Sequence, residues 1–260
     1  MNHWTELSIE YANQRNYLDD LFKVYPTVPD GIRDIDHKIL KNIEDSFNAK
    51  DNLKLVKACL ACKLFPIKDS YIAYLRKDKK AITRNPQTVN RIAGRLYEMG
   101  LNKIYEKCSE PKETNRQIGP YFKNWVNSGA LGLFPVSIEE FCSTQNDAIL
   151  KASDLEMADW CLNNLNYNRN KGLDFVARFN KKYVIGEAKF LTDFGGHQNA
   201  QFEDALNTIN TKDVNAIKIA ILDGVLYIKN KTKMHKTMLE KSKENNIMSA
   251  LVLREFLYSL

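Results

Sequence analysis

Apolar side chains recur with helical spacing through the first half of the chain. A period of about 3.6 residues runs through residues 36–49, 52–65 and 86–99, whereas β-branched alternation is scarce there. Proline and glycine fall between these periodic segments, where they mark turns. The pattern therefore predicts a mainly helical region over residues 1–125.

The pattern changes in the second half of the chain. Residues 137–143 and 152–165 again have helical spacing. Two strand-like runs follow at 173–179 and 183–190, and the polar residues 180–182 join them. So short a connection between two apolar runs predicts an antiparallel hairpin.

A second group of elements is predicted nearer the C-terminus. Residues 198–210 have helical spacing, and strand-like runs occupy 216–222 and 225–229. The pair Asp223-Gly224 between these runs is a strong hairpin signal. Residues 233–259 are predicted to be helical, with an apolar end.

Length and composition place these elements in two regions of one globular protein. The chain has 260 residues, which allows one large domain or two small ones. The element order predicts a helical region over 1–125 and an α/β core with a mixed sheet over 126–260. With no apolar run near the ~20 residues that span a bilayer and no signal-peptide pattern, we expect a cytoplasmic protein with no membrane partner.

Cysteine usage and net charge narrow the functional classes only slightly. The five cysteines are an odd number and no secretory segment is evident, so free thiols in a reducing compartment are expected. Cys59 and Cys62 form a C-x-x-C without a second pair at zinc spacing, which favours buried thiols on a helix over a metal site. The net charge of +6 permits a polyanionic partner such as nucleic acid without requiring one.

The two strands of the first hairpin carry the candidate chemistry. Glu187 and Lys189 share one face of their strand, because alternate side chains of a strand point the same way. Between Asp174 and Glu187 lie 12 residues, enough for one strand to turn and the next to return alongside it. We therefore expect two carboxylates and one ammonium group to meet at one end of the hairpin.

Such a meeting of carboxylates is unfavourable unless a cation compensates for it. Two like charges a few ångströms apart repel each other, and burial strengthens the repulsion. Mg²⁺ removes it and prefers one or two carboxylates with water and phosphate oxygens as ligands. The alternative is a surface hairpin with a Glu–Lys pair, but the apolar neighbours Val184 and Ile185 favour a buried strand.

The motif resembles that of a known nuclease superfamily. Gly172-Leu173-Asp174, followed by Ile185-Gly186-Glu187-Ala188-Lys189, is similar to the PD-(D/E)xK nucleases, to which most type II restriction endonucleases belong. The resemblance covers about residues 150–229. It departs from the family pattern at Leu173, which stands where the family has proline.

The resemblance implies a restriction-endonuclease-like core and a role for each residue of the motif. Asp174 and Glu187 would bind Mg²⁺, with the backbone carbonyl of Ala188 as a further ligand. Lys189 would orient or help to deprotonate the attacking water and stabilise the transition state. The helix over 152–165 often supplies another acid in this family, and the candidates here are Asp154, Glu156 and Asp159, with Glu156 slightly favoured.

The helical region contains candidate DNA contacts. Residues 86–101 are similar to the recognition helix of helix-turn-helix proteins, with 70–84 as the preceding helix. An amphipathic core helix with a solvated basic face explains the same pattern equally well. Residues 112–124 could form a DNA-contacting loop, although a plain linker is the favoured interpretation. The candidate contacts are Arg84, Asn90, Arg91 and Arg95, together with Gln198, which follows Gly195-Gly196 near the predicted active site.

The function expected from the sequence is site-specific, Mg²⁺-dependent hydrolysis of phosphodiester bonds in double-stranded DNA, as in a type II restriction endonuclease. We expect a homodimer, because two strands of a palindromic site need two active sites. One alternative is a structure-specific repair or recombination nuclease of the same superfamily. Another is a non-catalytic DNA-binding protein, against which the intact Asp174, Glu187 and Lys189 argue.

Overall fold

The computed structural model describes residues 1–14, 16–26, 34–110, 118–229 and 231–260. The chain divides into two compact units: one combines Met1–Val28 with Thr114–Leu260, and the other is Pro29–Glu113. This division differs from the expected boundary between residues 125 and 126, because the N-terminal helices belong to the unit that contains the sheet.

The described elements alternate between helix and strand only in the second half of the chain. The helices are α1 (His3–Ala12), α2 (Tyr17–Val24), α3 (His37–Asn48), α4 (Asn52–Ala61), α5 (Ile72–Lys77), α6 (Ala81–Arg84), α7 (Pro86–Met99), α8 (Leu101–Cys108), α9 (Ile118–Asn127), α10 (Ile138–Ser143), α11 (Asp154–Leu165), α12 (Gly196–Ile209), α13 (Lys233–Lys241) and α14 (Ala250–Tyr258). The strands are β1 (Ala148–Ile149), β2 (Phe175–Phe179), β3 (Lys182–Leu191), β4 (Ile217–Gly224) and β5 (Asn246–Met248).

The strands form one mixed sheet in the order β1-β2-β3-β4-β5. Strand β2 pairs antiparallel with β1 and β3, whereas β4 pairs parallel with β3 and β5. The β2–β3 hairpin turns at Asn180 and Lys181, whose φ angles of 46° and 62° suit a tight two-residue turn. The expected α/β class and the expected first hairpin are therefore confirmed.

Helices cover both faces of the sheet, and strand alternation decides which residues meet them. Val184 and Ala188 of β3 pack into a core with side chains of α1, α2, α9 and α14. Ile185 packs on the other face with α10 and α11, and Leu191 on that face with α12 and α13. The side chains of Glu187 and Lys189 share the face of Ile185 and Leu191, because they lie an even number of residues away.

The second predicted hairpin is wrong. Residues Val225–Tyr227 form a 3-10 turn, and β4 pairs with β5, which lies inside the segment predicted to be wholly helical. Gly224 ends the strand at φ 92°, and a Cβ there would lie 2.1 Å from the Leu191 carbonyl oxygen. Asp223 is buried instead of exposed at a turn. Asp-Gly therefore marks a strand end packed against its neighbour.

The N-terminal helix α1 is tied to the sheet by buried hydrogen bonds. The Thr5 hydroxyl donates to the Ile247 carbonyl at 2.6 Å, and the Ser249 N–H donates to the Ser8 hydroxyl at 2.9 Å. These contacts join residues more than 240 positions apart in sequence. They explain why α1 belongs to the sheet-containing unit and not to a separate N-terminal region.

The unit Pro29–Glu113 is helical over its described residues, 34–110, and has its own apolar core. In α7 the buried side chains are Val89, Ile92, Ala93 and Leu96, as its spacing predicts. Cys59, Cys62 and Cys108 are also buried in this core, in agreement with the expected structural role of the thiols. The segment 70–84 forms two short helices, α5 and α6, instead of the single helix expected.

Among the described residues, none of the helices combines the length and the apolar character that crossing a membrane requires.

Candidate active site

The hairpin β2–β3 brings the three predicted residues together. Asp174 immediately precedes β2, and its N–H donates to the Gly186 carbonyl at 3.2 Å. Glu187 and Lys189 lie two positions apart on β3. The Lys189 ammonium group donates to Glu187 Oε1 at 2.5 Å and to Asp174 Oδ2 at 3.3 Å. One ammonium group therefore joins both carboxylates, as the sequence predicts.

Burial and charge shift the ionisation of this cluster. Burial raises the pKa of Asp174, and the Glu187 carboxylate adds to the rise, while Lys189 and the Ala188 N–H oppose it. Burial acts to lower the pKa of Lys189, but the carboxylates of Asp174 and Glu187 outweigh it and raise that pKa. In the metal-free protein Lys189 is therefore held as a cation between two acids.

Glu187 has one satisfied oxygen and one unsatisfied oxygen. Its side chain is 2% exposed, and Oε1 accepts hydrogen bonds from both Lys189 and Lys171. Glu187 Oε2 is buried and has no hydrogen-bond partner. A buried carboxylate oxygen without a partner is costly unless a ligand completes it. This oxygen is therefore suited to binding a cation.

The backbone of Ala188 faces the same edge of the strand as Asp174. The Ala188 N–H donates to Asp174 Oδ2 at 2.9 Å. Because the N–H and C=O of one strand residue point to the same side, the Ala188 carbonyl also points toward the side of β3 on which Asp174 lies. The donor set thus contains two carboxylates and one carbonyl oxygen, all hard oxygen ligands of the kind that Mg²⁺ prefers.

A second group of charges, which the sequence analysis did not identify, borders the site. Lys171 donates to Glu187 Oε1 at 2.6 Å and forms an ion pair with Asp204 of α12. Arg169 lies 3.4 Å from Asp204 Oδ1 and donates to the Thr208 hydroxyl at 2.6 Å. Lys171 is close to the motif in sequence, but its partner Asp204 is 33 positions away, so only the packing of α12 reveals the pair.

Helix α11 places Asp154, and not Glu156, close to the candidate site. Glu156 completes a capping box with Ser153, whose N–H donates to Glu156 Oε2 at 2.8 Å. The Asp154 carbonyl accepts the Leu173 N–H at 3.0 Å, and its carboxylate contributes to the raised pKa of Asp174. A Cβ on Gly172 would lie 2.6 Å from the Asp154 Cβ, so glycine permits this close approach. The slight preference for Glu156 is therefore not supported.

No group of three or more His, Cys, Asp or Glu side chains within the described ranges has the arrangement of a metal site. The candidate site has only two carboxylates in contact with Lys189, with a backbone carbonyl beside them. That donor set suits Mg²⁺, which usually keeps several water ligands and shares its remaining positions with substrate phosphate. The arrangement could hold a cation, a water molecule and a phosphate group against one ammonium group.

Gln198 lies in α12, where it supports the loop after β3. Its side chain is 6% exposed, and its Oε1 accepts the Thr192 N–H at 3.2 Å. In this arrangement the side chain is directed into the protein, so it is not available for the DNA contact expected from the sequence.

The other candidate DNA contacts all lie in the helical unit and keep exposed side chains. Arg91 forms an ion pair with Asp69 at 2.5 Å and stacks on Tyr71, and Arg95 lies 2.8 Å from Glu98. The remaining two also have polar partners: Arg84 pairs with Asp78, and Asn90 accepts a hydrogen bond from Asn52 at 2.8 Å.

The expected loop over 112–124 is only partly described. Residues 118–124 belong to α9, where Lys123 forms an ion pair with Asp154. Lys112 and Arg116 lie outside the described residues. A helix, not a loop, therefore carries the described part of this segment.

Comparison with known proteins identifies the class of the chain. The family model described as Tsp45I type II restriction enzyme matches residues 2–260. The chain therefore belongs to the class of type II restriction enzymes. Within that class it belongs to the Tsp45I family. No curated protein and no solved structure gives a significant match.

Proposed function

We propose that the protein hydrolyses phosphodiester bonds at specific sites in double-stranded DNA, with Mg²⁺ as cofactor and with Asp174, Glu187 and Lys189 as its active site. The observation that carries the proposal is the cluster at the end of the β2–β3 hairpin. Lys189 joins both carboxylates there, and Glu187 keeps a buried oxygen without a partner. Membership of a type II restriction enzyme family supports the same conclusion.

Three oxygen ligands would hold the metal ion. They come from the carboxylates of Asp174 and Glu187 and the backbone carbonyl of Ala188. When bound, Mg²⁺ acidifies a coordinated water molecule and neutralises charge on the scissile phosphate. The protein's part is to fix these ligands: the Ala188 N–H and two lysines each occupy one oxygen of a carboxylate and leave the other available.

Lys189 supplies the positive charge that acts on the reacting phosphate. Its ammonium group lies between the two carboxylates and is held by both. From that position it orients the attacking water and stabilises the charge that develops on the phosphate oxygens. A preorganised cation is effective in a partly buried site, because little water competes with it.

The helical unit is the proposed sequence-reading part. Its residues 34–110 include 16 lysine and arginine residues and 10 aspartate and glutamate residues. Their net charge of +6 equals the net charge of the whole chain. A basic surface attracts the phosphate backbone. Arg84, Asn90, Arg91 and Arg95 are the proposed contacts, of which the arginines suit bidentate recognition of phosphate or guanine.

The experiment that tests the function is digestion of a sequenced plasmid with Mg²⁺, followed by mapping of the cut ends. The expected result is a set of discrete fragments whose ends share one short sequence. Addition of EDTA should abolish cleavage, and excess Mg²⁺ should restore it. Cleavage that persists in EDTA contradicts the metal site. Cleavage without a shared end sequence favours a structure-specific nuclease.

We also propose that the enzyme acts as a homodimer. Two strands of a palindromic site present the same sequence in opposite directions, and a two-fold axis in the protein matches that symmetry. Analytical ultracentrifugation of the protein bound to its mapped site should give two chains per duplex. One chain per duplex contradicts the dimer and leaves the active-site assignment intact.

A further inference from the structure

Two lysines from different parts of the chain hold the same oxygen of Glu187. Lys189 reaches Oε1 from the same strand, and Lys171 reaches it from the loop before β2, at 2.6 Å. Lys189 is also bonded to Asp174, so its position is shared between two acids. Lys171 is therefore the contact that can fix Glu187 independently of Asp174.

Lys171 is itself fixed by the helix on the same face of the sheet. Its ammonium group pairs with Asp204 of α12, which also lies 3.4 Å from the Arg169 guanidinium. The side chains of Lys171 and Asp204 are 32% and 29% exposed, so water screens their attraction and the pair adds little to stability. Its main consequence is the orientation of the buried carboxylate that Lys171 contacts.

The orientation of a glutamate carboxylate needs such support. The terminal torsion of glutamate is broad and nearly two-fold, so one hydrogen-bonded oxygen does not define the plane of the group. Two donors on Oε1, Lys171 from the loop before β2 and Lys189 from β3, restrict this rotation and leave Oε2 available. A metal ligand must be held within about 0.5 Å of its productive position to support catalysis.

We propose that Lys171 is a positioning residue for Glu187 and that Asp204 is its anchor. The proposal rests on the proposed function, because Glu187 matters only if it binds the metal. The proposal predicts that the loss of Lys171 changes the cation affinity and the cleavage rate with opposite signs. The charge of Lys171 opposes cation binding, whereas its hydrogen bond supports cleavage, so removing Lys171 changes the two in opposite directions.

The test compares metal binding with turnover in Lys171→Met and Asp204→Asn. Binding of Mn²⁺ to the DNA-free protein is measured by electron paramagnetic resonance, and cleavage is measured at saturating Mg²⁺. We expect Lys171→Met to bind Mn²⁺ several-fold more tightly, because a nearby positive charge is lost, and to cleave at least about tenfold more slowly. Asp204→Asn should bind Mn²⁺ more weakly and also cleave more slowly.

Two further variants separate positioning from a general effect of charge. Glu203→Gln changes an exposed acid beside Asp204 on α12 and should keep wild-type metal binding and cleavage. The double variant Lys171→Met/Asp204→Asn should cleave like Lys171→Met alone, because Asp204 acts only through Lys171. Thermal unfolding of every variant tests whether each one is folded.

The proposal is overturned if Lys171→Met cleaves at the wild-type rate at saturating Mg²⁺, or if the cleavage rate simply follows the metal affinity in all variants. The role of Asp204 as anchor is contradicted if the double variant loses cleavage rate by the product of the two single losses. These outcomes differ from failure of the proposed function itself, in which the wild-type protein shows no Mg²⁺-dependent cleavage. If Lys171→Met does not fold, cleavage by Asp204→Asn at saturating Mg²⁺ decides the matter: a rate below that of the wild type supports the proposal, and the wild-type rate overturns it.

Discussion

The N–H of Ala188 donates to Asp174 Oδ2 at 2.9 Å, and this bond links the two halves of the candidate active site. Asp174 lies before β2 and Ala188 lies in the middle of the Glu-Ala-Lys sequence of β3. The bond therefore fixes the first carboxylate relative to the strand that carries Glu187 and Lys189. It also leaves Asp174 Oδ1 free of this contact, so a cation can approach that oxygen.

The first prediction concerns Lys189. Lys189→Ala should fold normally and still bind its target DNA selectively, but lose about 100-fold or more of its cleavage rate, because one preorganised charge is removed. Single-turnover cleavage and a gel-shift assay measure the two properties separately. Lys212→Ala, which removes an exposed lysine of the same unit, should behave like the wild type. A well-folded Lys189→Ala that cuts at the wild-type rate would place the active site elsewhere.

The second prediction concerns Asp174. Asp174→Asn keeps an oxygen that can accept the Ala188 N–H but removes the negative charge that would bind the metal. We expect cleavage to be nearly abolished at ordinary Mg²⁺ concentrations and partly restored at high Mg²⁺ or Mn²⁺. The measurement is the metal concentration that gives half of the maximal rate. An unchanged half-saturating concentration, with a reduced maximal rate, contradicts the role of Asp174 as a ligand.

The convergence of Asp174, Glu187 and Lys189 could be predicted from the sequence because the three residues lie in one hairpin. The spacing between Asp174 and Glu187 and the alternation along β3 are local properties, and both lead to the observed convergence. Lys171 and Asp204 were missed because their contact depends on how α12 packs on the sheet. Strand β5 was missed for a related reason: three residues between two helices carry too little pattern to reveal a parallel partner.

The Asp223-Gly224 pair shows how burial can override a local turn signal. The pair is typical of a tight hairpin turn, but in this chain Asp223 accepts hydrogen bonds from Tyr25 and from the Ala250 N–H inside the protein. Its partners come from elements more than 25 residues away in either direction. No local pattern could indicate that the aspartate was needed there.

The third prediction concerns the helical unit. Arg91→Ala and Arg95→Ala should weaken binding to the mapped DNA site without changing the circular-dichroism spectrum. A lost base contact would cost about 1–3 kcal/mol and relax sequence preference, whereas a lost phosphate contact would mainly reduce the salt dependence of binding. Fluorescence anisotropy at several salt concentrations distinguishes the two. Lys41→Ala, an exposed cation of α3, is the matched control.

If both arginines contact DNA, Arg91→Ala should lose more of the free energy of DNA binding than Arg95→Ala. Arg91 is held by Asp69 and by the ring of Tyr71, so less side-chain entropy is lost when it binds. Arg95 pairs only with Glu98 among the described residues, and its side chain is 69% exposed. Unchanged affinity and unchanged salt dependence in both variants would instead support the interpretation of α7 as a core helix with a solvated face.

The fourth prediction concerns the pH dependence of stability. Asp223 is completely buried, and burial raises the pKa of its carboxyl from 3.8 to about 6, although donors from Ser249, Tyr25 and the Ala250 N–H oppose the rise. Between these two pH values the folded protein retains a proton that the unfolded chain has lost. The contribution of Asp223 to stability therefore falls as the pH rises from about 4 to about 6, and it stays low above that range.

Asp223→Asn removes this titration while keeping an oxygen acceptor for Tyr25 and the Ala250 N–H. A difference of about 2 in pKa corresponds to roughly 3 kcal/mol. The free energy of unfolding of Asp223→Asn, relative to the wild type, should therefore increase by up to about that amount between pH 4 and pH 6.5. Urea unfolding at several pH values measures it, with the exposed Asp159→Asn of α11 as the control. A relative stability that falls over the same range would mean that the three donors stabilise the ionised carboxylate more than burial destabilises it.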